Sequence, residues 1–373
     1  MHIGIDASRL ATATRTGTEH YTFELLAALA VRDRVNRYTL YCNQMPTALP
    51  PLGRNFELRP IPLRRLWTHA RLSAEIIARP PDVLFVPAHV IPLGTPLARA
   101  RRTVVTIHDM GYMHFPESHT RAQRLYLRLS TAWSARVASM VIAISKTTRD
   151  DLIRYARVPP AKIHVIYHGV APRFQADPPA EVVAATQARY RIAGPYFLFV
   201  GTVQPRKNLE RVIEAFARFK PQSSAASPQP MLVIAGKKGW LTEAIERRAA
   251  EIGVAGQVRF IGYLPDADVP PLLRGALGFV FPSLYEGFGM PVLEAMACGA
   301  PVITSTTSSL PEVAGNAALL VDPRDVGAIA AAIGRLAGDA TLRAELRQRG
   351  VARAADFSWD SCAQQTLRVL VGT

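Results

Sequence analysis

The stretch GFVFPSLYEGFGMPVLEAMACGAPVITS, residues 278–305, decides the fold of this chain. The apolar run 279–281, closed by a proline, predicts a short buried strand. A loop with two glycines follows, and then Pro291 stands at the first position of a predicted helix that Gly299 ends. The run 302–304 predicts the next strand. Strand, loop, helix and strand form the unit of a parallel sheet, in which the loop lies at the carboxyl ends of the strands, where ligands bind.

Two carboxylates stand out in this unit. Glu286 lies in the loop, and Glu294 is expected in the first turn of the helix, eight positions later. Gly287 and Gly289 allow the backbone to approach a ligand, and the N–H groups at a helix start favour anionic oxygens. The plainer alternative is that Glu294 only complements the helix dipole and that Glu286 is a solvated loop residue. The spacing and the glycines together favour a ligand site.

The run of residues 286–302 resembles a motif of a known enzyme family. It matches the pattern E-G-F-G-x-P-x-L-E-A-M-A-x-G-x-P-V almost without gaps. That pattern is the EX7E region of the retaining nucleotide-sugar glycosyltransferases of family 4, the glycosyl transferases group 1. These enzymes have the GT-B fold and include bacterial mannosyltransferases and glucosyltransferases. The resemblance covers nearly the whole chain and is strongest over residues 200–322.

Length and composition predict a two-domain protein of the cytoplasm. A chain of 373 residues is too long for one ordinary core. The first residues lack the basic and apolar regions of a signal peptide, and no apolar run reaches the ~20 residues that span a bilayer. Three cysteines, far apart and without metal-ligand spacing, are expected to be reduced thiols. No metal site is predicted.

The net charge of +15 is concentrated in the first half of the chain. Residues 1–175 hold 24 Lys and Arg against 11 Asp and Glu, whereas residues 176–373 hold 20 against 18. This imbalance predicts a face in the first half that meets anions. Nucleic acid, an anionic membrane surface and an acidic substrate are all compatible with charge alone.

A second ligand-binding pattern follows a predicted strand at residues 196–201. The loop 202–208 carries Arg206 and Lys207 directly before a helix for which Asn208 is the expected N-cap. Cationic side chains and N–H groups at a helix start suit a diphosphate. A solvated basic pair in a turn is the alternative, but it does not explain the position. The run G-T-V-Q-P-R-K-N also resembles the diphosphate motif of the family.

The first half of the chain offers weaker site candidates. The first predicted strand, His2–Asp6, leads into a small polar loop that contains Gly17 and then a helix, an arrangement that accommodates phosphate. His108 and Asp109 directly follow a predicted strand, at the ligand edge of a sheet. A lone histidine there is more often structural. The resemblance implies that His108 and Asp109 lie beside the donor sugar.

Residues 62–79 predict a basic amphipathic helix with an apolar stripe that includes Leu63 and Trp67. Such a helix can lie on an anionic membrane, but an ordinary helix that packs its stripe on the sheet is the better interpretation of this segment alone. Further arginines near residues 99–102 and 121–128 favour a functional basic face.

The domain boundary is predicted in the proline-rich segment 167–181, after which strand and helix alternation begins again. We predict an α/β protein of two Rossmann-like domains whose parallel sheets face across a cleft. The resemblance implies an acceptor-binding domain over residues 1–172, completed by a C-terminal helix at residues 359–373. A donor-binding domain would span residues 173–358.

The resemblance implies a metal-independent hexosyltransferase that works with retention and needs no cofactor beyond its nucleotide-sugar donor. Arg206 and Lys207 would hold the diphosphate, Glu294 the ribose, and Glu286 with the amides of Gly287, Phe288 and Gly289 the sugar. GDP-mannose is the first guess at the donor. The acceptor would be a lipid-linked or other glycan in polysaccharide or lipopolysaccharide assembly. The protein would then be a peripheral one on the inner membrane face.

Two other classes of protein stay open at this point. A nucleotide-sugar epimerase shares the fold but would need no acceptor. A nucleic-acid-binding protein would explain a pI near 10.2. It would not explain acidic and basic side chains at strand ends, and the sequence has no interleaved aromatic and basic patch. We therefore expect no nucleic-acid partner.

Overall fold

The computed structural model describes residues 1–12, 17–118, 120–219, 229–237 and 242–372. These residues divide into two compact units. Unit 1 comprises residues 1–169 and 357–373, and unit 2 comprises residues 170–356. The predicted boundaries were residues 172 and 358.

Unit 1 is built on a parallel sheet of seven strands among the described residues. Their order across the sheet is β3-β2-β1-β4-β5-β6-β7. The strands are β1 (His2–Asp6), β2 (Arg37–Cys42), β3 (Phe56–Pro60), β4 (Val83–Val86), β5 (Arg102–Ile107), β6 (Met140–Ala143) and β7 (Ile163–Val165). The helices are α1 (Gly17–Arg32), α2 (Ser73–Ala78), α3 (Gly111–His114), α4 (Arg121–Val137) and α5 (Lys146–Ala156).

Unit 2 is built on a second parallel sheet, with the order β10-β9-β8-β11-β12-β13 in the described residues. Its strands are β8 (Tyr196–Val200), β9 (Met231–Ala235), β10 (Val258–Gly262), β11 (Gly278–Phe281), β12 (Val302–Ser305) and β13 (Leu319–Val321). The helices are α6 (Pro172–Gln175), α7 (Ala180–Arg189), α8 (Leu209–Arg218), α9 (Thr242–Glu251), α10 (Val269–Gly275), α11 (Met290–Ala297), α12 (Leu310–Ala314), α13 (Val326–Gly338) and α14 (Ala340–Ala355). The chain then returns to unit 1 with α15 (Trp359–Val371).

The sheet of unit 1 buries apolar side chains on both faces. In β4, Val83 and Phe85 belong to one core cluster, while Leu84 and Val86 belong to the other. This alternation follows from the two-residue period of a strand covered by helices on each side. The α15 helix packs on α1. The α/β architecture of two parallel sheets confirms the predicted fold class.

The segment 62–79 differs from its prediction. It is helical only from Thr68 onward, and Leu66 before it has a left-handed backbone with φ 55°. Trp67 is buried and donates to the carbonyl of Ile61 at 2.8 Å, whereas most of the predicted stripe is exposed. The buried face instead contains Glu75, which forms ion pairs with three arginines: Arg59, Arg71 and Arg79. The predicted stripe was wrong because the segment is not one continuous helix.

The three cysteines are buried and form no disulfide. No helix within the described parts of the chain combines the length and the apolar character needed to cross a membrane.

Candidate active site

The topology of unit 2 brings two distant loops together. β8 and β11 are neighbours in the sheet although two other strands lie between them in sequence. The order of strands reverses at this pair, because β9 and β10 extend to one side and β12 and β13 to the other. Parallel sheets bind ligands at the carboxyl ends of the strands at such a switch point. The loop with Arg206 and Lys207 follows β8, and the loop with Glu286 follows β11.

Both cations of the first loop contact the carboxylate of the second. Arg206 donates from Nη1 to Oε2 of Glu286 at 2.9 Å, and Lys207 donates from Nζ to Oε1 at 2.6 Å. Ser283 also donates from Oγ to Oε1, at 2.6 Å. Sequence reasoning predicted the three charged residues separately for one ligand, and the fold places them in direct contact. It did not identify Ser283.

These contacts control the protonation of the carboxylate. Burial alone would raise the pKa of Glu286, but the positive charges of Arg206 and Lys207 and the hydrogen bonds from Lys207 and Ser283 outweigh it and lower the pKa to about 2. Glu286 is therefore ionised at neutral pH. The trio of Arg206, Lys207 and Glu286 carries a net charge of +1.

Lys207 is fixed more firmly than Arg206. The Lys207 side chain is 8% exposed, and its Nζ lies 4.5 Å from the centre of the Phe281 ring, within the range of a cation–π contact. Arg206 is 27% exposed and also donates to the carbonyl of Tyr285 at 3.1 Å. Arg206 is therefore the more exposed of the two cations, and Lys207 is the more buried one.

Asn208 does not cap α8 as predicted. It has a left-handed backbone, φ 64°, and its side chain makes no capping bond. Its amide donates instead to the carbonyls of Pro282 at 3.0 Å and Pro323 at 2.6 Å. Asn208 therefore ties the β8 loop to the ends of two other loops. By contrast, Ser145 caps α5, since its side chain accepts from the N–H of Thr148 at 3.0 Å.

The Glu286 loop is held by hydroxyl groups that follow β12. The Oγ of Ser309 lies 2.9 Å from the carbonyl oxygen of Glu286 and 2.7 Å from that of Phe288, and Ser308 accepts from the N–H of Glu286 at 3.1 Å. Ser308 has φ 57°, which is uncommon for a residue other than glycine. The hydroxyl-rich run 306–309, directly after β12, is the sequence feature that provides this support, and the sequence analysis did not identify it.

The glycines and Glu294 occupy the start of α11. Gly287, Phe288 and Gly289 are buried, and Gly289 has φ 110° at the N-cap position. Glu294 is half-buried on α11. Because α11 begins at Met290, Glu294 lies in the second turn, and its predicted place in the first turn was wrong. The prediction failed because the helix begins earlier than Pro291.

The carboxyl ends of β8 and β9 lie so close together that no side chain fits between them. A Cβ atom at Gly236, directly after β9, would lie 1.9 Å from the carbonyl oxygen of Gly201, directly after β8. Gly236 also has φ 148°. Only glycine fits there, and the sequence analysis did not single it out.

The site candidates of unit 1 lie at the carboxyl edge of its own sheet. His108 follows β5, is buried, and its Nε2 lies 2.9 Å from the carbonyl oxygen of Pro87 after β4. Burial and the neighbouring His89 lower the pKa of His108 to about 4. His108 is therefore neutral at pH 7. Since a carbonyl only accepts, Nε2 carries the proton and Nδ1 is the acceptor.

Aromatic rings surround His108. The Tyr21 ring lies edge-on at 4.9 Å between centroids, and the His168 ring lies at 6.0 Å. Asp109 is half-buried and accepts from the N–H of Gly111 at 2.9 Å, so it fixes the turn into α3. Gly17 is the first residue of α1, and residues 13–16 of the predicted loop lie outside the described residues.

Among the described residues, no group of three or more His, Cys, Asp and Glu side chains is placed to hold a metal ion. Independence from metal stays a prediction.

Comparison with known proteins identifies the family. The family model for glycosyl transferases group 1 matches residues 189–353, and that for glycosyltransferase family 4 matches residues 15–174. The O-antigen chain mannosyltransferase B of Escherichia coli is 36% identical over 274 residues, which cover 72% of this chain and 70% of that protein.

Solved structures agree on the fold. Sucrose-phosphate synthase from Thermosynechococcus elongatus superposes with a TM-score of 0.78 at 22% identity, covering 100% of this chain and 98% of that one. Anabaena HepE, in complex with UDP and glucose, superposes with a TM-score of 0.76 at 19% identity, covering 100% of this chain and 99% of that one. With both sheets, the family models and a relative of this similarity, the chain belongs to the group 1 glycosyltransferases of the GT-B fold and is mannosyltransferase-like.

Proposed function

We propose that this chain transfers a hexose from a nucleoside diphosphate sugar to a lipid-linked or other glycan acceptor in polysaccharide or lipopolysaccharide assembly. The name of its mannosyltransferase relative supports mannose, and we take GDP-mannose as the first donor to test. Family membership favours transfer over an epimerase or a nucleic-acid-binding role. The observation that carries the proposal is the contact of Arg206 and Lys207 with Glu286 at the switch point of the unit 2 sheet.

The chemistry follows from the charges at this point. When the glycosidic bond to the diphosphate breaks, negative charge grows on the departing phosphate oxygens. Fixed cations in a site with little water stabilise that charge without reorganising. Arg206 can fork across two oxygens, and Lys207 supplies a point charge held at a fixed distance from Glu286. We assign both residues to the leaving diphosphate.

Among the described residues, the hydrogen bonds to the Glu286 carboxylate leave one acceptor position for the sugar. An ionised carboxylate offers about four lone-pair positions. Lys207 and Ser283 take two on Oε1, and Arg206 takes one on Oε2. A sugar hydroxyl therefore meets Glu286 at Oε2, beside the guanidinium. We assign Glu294 to the ribose hydroxyls, and the amides of residues 287–289 to the sugar.

We propose transfer with retention through attack on the same face that the diphosphate leaves, with no metal ion. The departing phosphate then accepts the proton of the acceptor hydroxyl. His108 is neutral and has Nδ1 as an acceptor, so it suits a hydrogen bond from a sugar hydroxyl and not the role of a general acid. Asp109 and Gly17 are proposed as further donor-binding residues, contributed by unit 1.

The test begins with a thermal-shift panel of GDP, UDP, ADP and dTDP sugars. A bound nucleotide stabilises the fold by about 2.7 kcal/mol at a hundredfold excess over Kd. The nucleotide that binds is then used in a transfer assay with lipid-linked glycan acceptors, with and without EDTA. NMR of the product's anomeric centre reports retention or inversion. Stabilisation by none of the four nucleotide sugars, and no transfer, would refute the proposal.

We also propose that unit 1 meets the acceptor at an anionic membrane surface. The first half of α4 exposes apolar side chains beside arginines. Leu125, Tyr126 and Leu129 are 56%, 52% and 62% exposed, and Arg124 and Arg128 lie within the same turns. The segment 62–79 contributes less than predicted, because Trp67 is buried and cannot insert. Each Lys or Arg near an anionic surface contributes about 1 kcal/mol, which salt screens.

Vesicle sedimentation tests this surface. We expect binding to anionic vesicles at low salt and release as ionic strength rises. Charge reversal at Arg124 and Arg128 should release the protein while leaving nucleotide binding intact. The matched control is charge reversal at Arg349, an exposed arginine on α14 of unit 2. Equal binding to neutral and anionic vesicles, or to neither, would favour a soluble acceptor.

A further inference from the structure

We propose that Ser283 is a positioning residue for the diphosphate-binding cations, which it controls by fixing the carboxylate of Glu286. The inference rests on the proposed glycosyl transfer. Ser283 follows β11 and is completely buried. Its hydroxyl is a neutral donor to the carboxylate that also accepts from the two cations, Arg206 and Lys207.

The hydroxyl proton has one best acceptor. Oγ of Ser283 lies 2.6 Å from Oε1 of Glu286, 2.9 Å from the carbonyl oxygen of Arg206 and 3.4 Å from that of Tyr285. A hydroxyl has one proton, and hydrogen bonds to an ionised acceptor are shorter and stronger than those to a neutral one. The Arg206 carbonyl already accepts from the N–H of Leu284 at 2.8 Å. The proton therefore goes to Glu286.

This hydrogen bond determines where the carboxylate oxygens point. Oε1 of Glu286 accepts a hydrogen bond from Lys207, in the loop after β8, and one from Ser283, after β11, both at 2.6 Å. Lys207 stands on a long and flexible side chain, whereas Ser283 has one short side-chain bond from a strand end. Ser283 is thus the rigid reference of the pair. Without it, the carboxylate can rotate toward Arg206 or Lys207, and both cations follow it.

Ser283 is itself held in place. Ser305 at the end of β12 donates from Oγ to the Ser283 carbonyl at 2.5 Å, and Ser305 is completely buried. Ser283 is thus held in position by two adjacent strands, β11 and β12. Catalytic side chains need support of this kind to stay within about half an ångström of a productive geometry.

A purely structural role for Ser283 makes a different prediction. If its hydroxyl only held the loop to the Arg206 carbonyl, its loss would lower stability and would act independently of Glu286. If it acts through Glu286, its loss has no further effect once Glu286 no longer carries charge. A double-mutant cycle separates the two roles.

The experiment compares kcat, KM and Tm of the wild type with those of Ser283→Ala, Glu286→Gln and the double variant, using the donor found by the panel. We expect Ser283→Ala to lower kcat by about 10- to 100-fold, as for one lost hydrogen bond to a charged group, with KM changed less than about threefold. In the Glu286→Gln background, the same substitution should change kcat less than about twofold.

Two further variants complete the test. Ser283→Cys keeps nearly the same volume but has only a weak hydrogen-bond donor, so its kcat should fall as much as that of Ser283→Ala. It tests the inference even if Ser283→Ala folds poorly. Thr304→Val removes a buried hydroxyl that donates to the Phe281 carbonyl at 2.9 Å and does not touch Glu286. It should lower Tm and leave kcat near the wild-type value.

The outcomes separate the inference from the function. Wild-type kcat in a folded Ser283→Cys variant, or additive losses in the cycle, would overturn the role of Ser283 and leave the transfer reaction intact. A wild-type chain that turns over no donor of the panel would refute the proposed function and this inference with it.

Discussion

Substitution of Lys207 by alanine should separate catalysis from nucleotide binding. Lys207 and Glu286 are both 8% exposed and form an ion pair of 2.6 Å. In the proposed reaction, Lys207 acts on the leaving diphosphate and not on the nucleoside. We therefore expect kcat to fall by about 100- to 1,000-fold, the loss typical of one preorganised group that stabilises an anion. Affinity for a nucleoside monophosphate should change less than about threefold.

The same substitution has a calculable effect on stability. Removal of one partner from a buried ion pair costs roughly 3–5 kcal/mol, because a charge stays buried without its partner. Arg206 and Ser283 still hydrogen-bond Glu286 in the variant, so we expect the lower end, roughly 3 kcal/mol. Adding Glu286→Gln should recover most of this loss, because the buried charge is then gone. It should not recover turnover.

Stopped transfer assays measure kcat, calorimetry with the monophosphate measures binding, and urea unfolding measures stability. Arg206→Ala is assayed in parallel and should lose kcat in the same range. Arg211→Ala is the matched control, since this cation of α8 donates to Asn208 at 2.9 Å and does not touch Glu286. Near-normal transfer by both Lys207→Ala and Arg206→Ala would refute the assignment of the diphosphate to these residues.

Three further results are expected. Glu294→Ala should mainly raise the donor KM, whereas Glu286→Ala should also lower kcat, and the reverse pattern would mean that their roles are exchanged. The pKa of His108 is about 4 in the folded protein and near 6.5 when unfolded, so the unfolded state binds the proton first as pH falls. The contribution of neutral His108 to the free energy of unfolding is fully present above pH 6.5, and about 3 kcal/mol of it should be lost between pH 6.5 and 4. The loss should be smaller in His108→Gln. The same pH dependence of urea unfolding in the wild type and in this variant would contradict the prediction. Gly236→Ala should destabilise by more than about 1 kcal/mol because its Cβ meets backbone, whereas Gly256→Ala, which meets nothing within 4 Å, is the control; equal melting temperatures would count against the close approach.

The sequence was most informative where strands are fully buried. The strand His2–Asp6 was predicted with the bounds that the structure has, and the predicted strand 279–281 lies within β11. Strands covered on both faces read as continuous apolar runs, which are easily distinguished from their surroundings. β3 and β7 were not predicted. They lie at the edges of the unit 1 sheet, and their side chains are half-buried or exposed, so no apolar run marks them.

The charged residues of the site were predictable because each lies in a loop that follows a buried strand. Arg206, Lys207 and Glu286 therefore had to lie on the same edge of the sheet. Their direct contact was not predictable, since it depends on β8 and β11 being neighbours, and strand order leaves no local signal. Ser283 was missed for the same reason. A serine after a strand-closing proline is an ordinary turn residue until the fold places its hydroxyl on a carboxylate.

The contact also explains why a carboxylate stands among the cations that are proposed to bind a diphosphate. Lys207 is buried, and burial of an ammonium group costs free energy unless an opposite charge lies beside it. The Glu286 carboxylate supplies that charge at 2.6 Å, and the two cations keep Glu286 ionised with a pKa of about 2. The site thus holds its positive charge in a fixed place at a net +1, where a pair of unaccompanied cations would repel each other and move apart. We therefore expect Glu286→Gln to lower turnover although it adds net positive charge to the site, because the orientation of the cations matters more than the net charge.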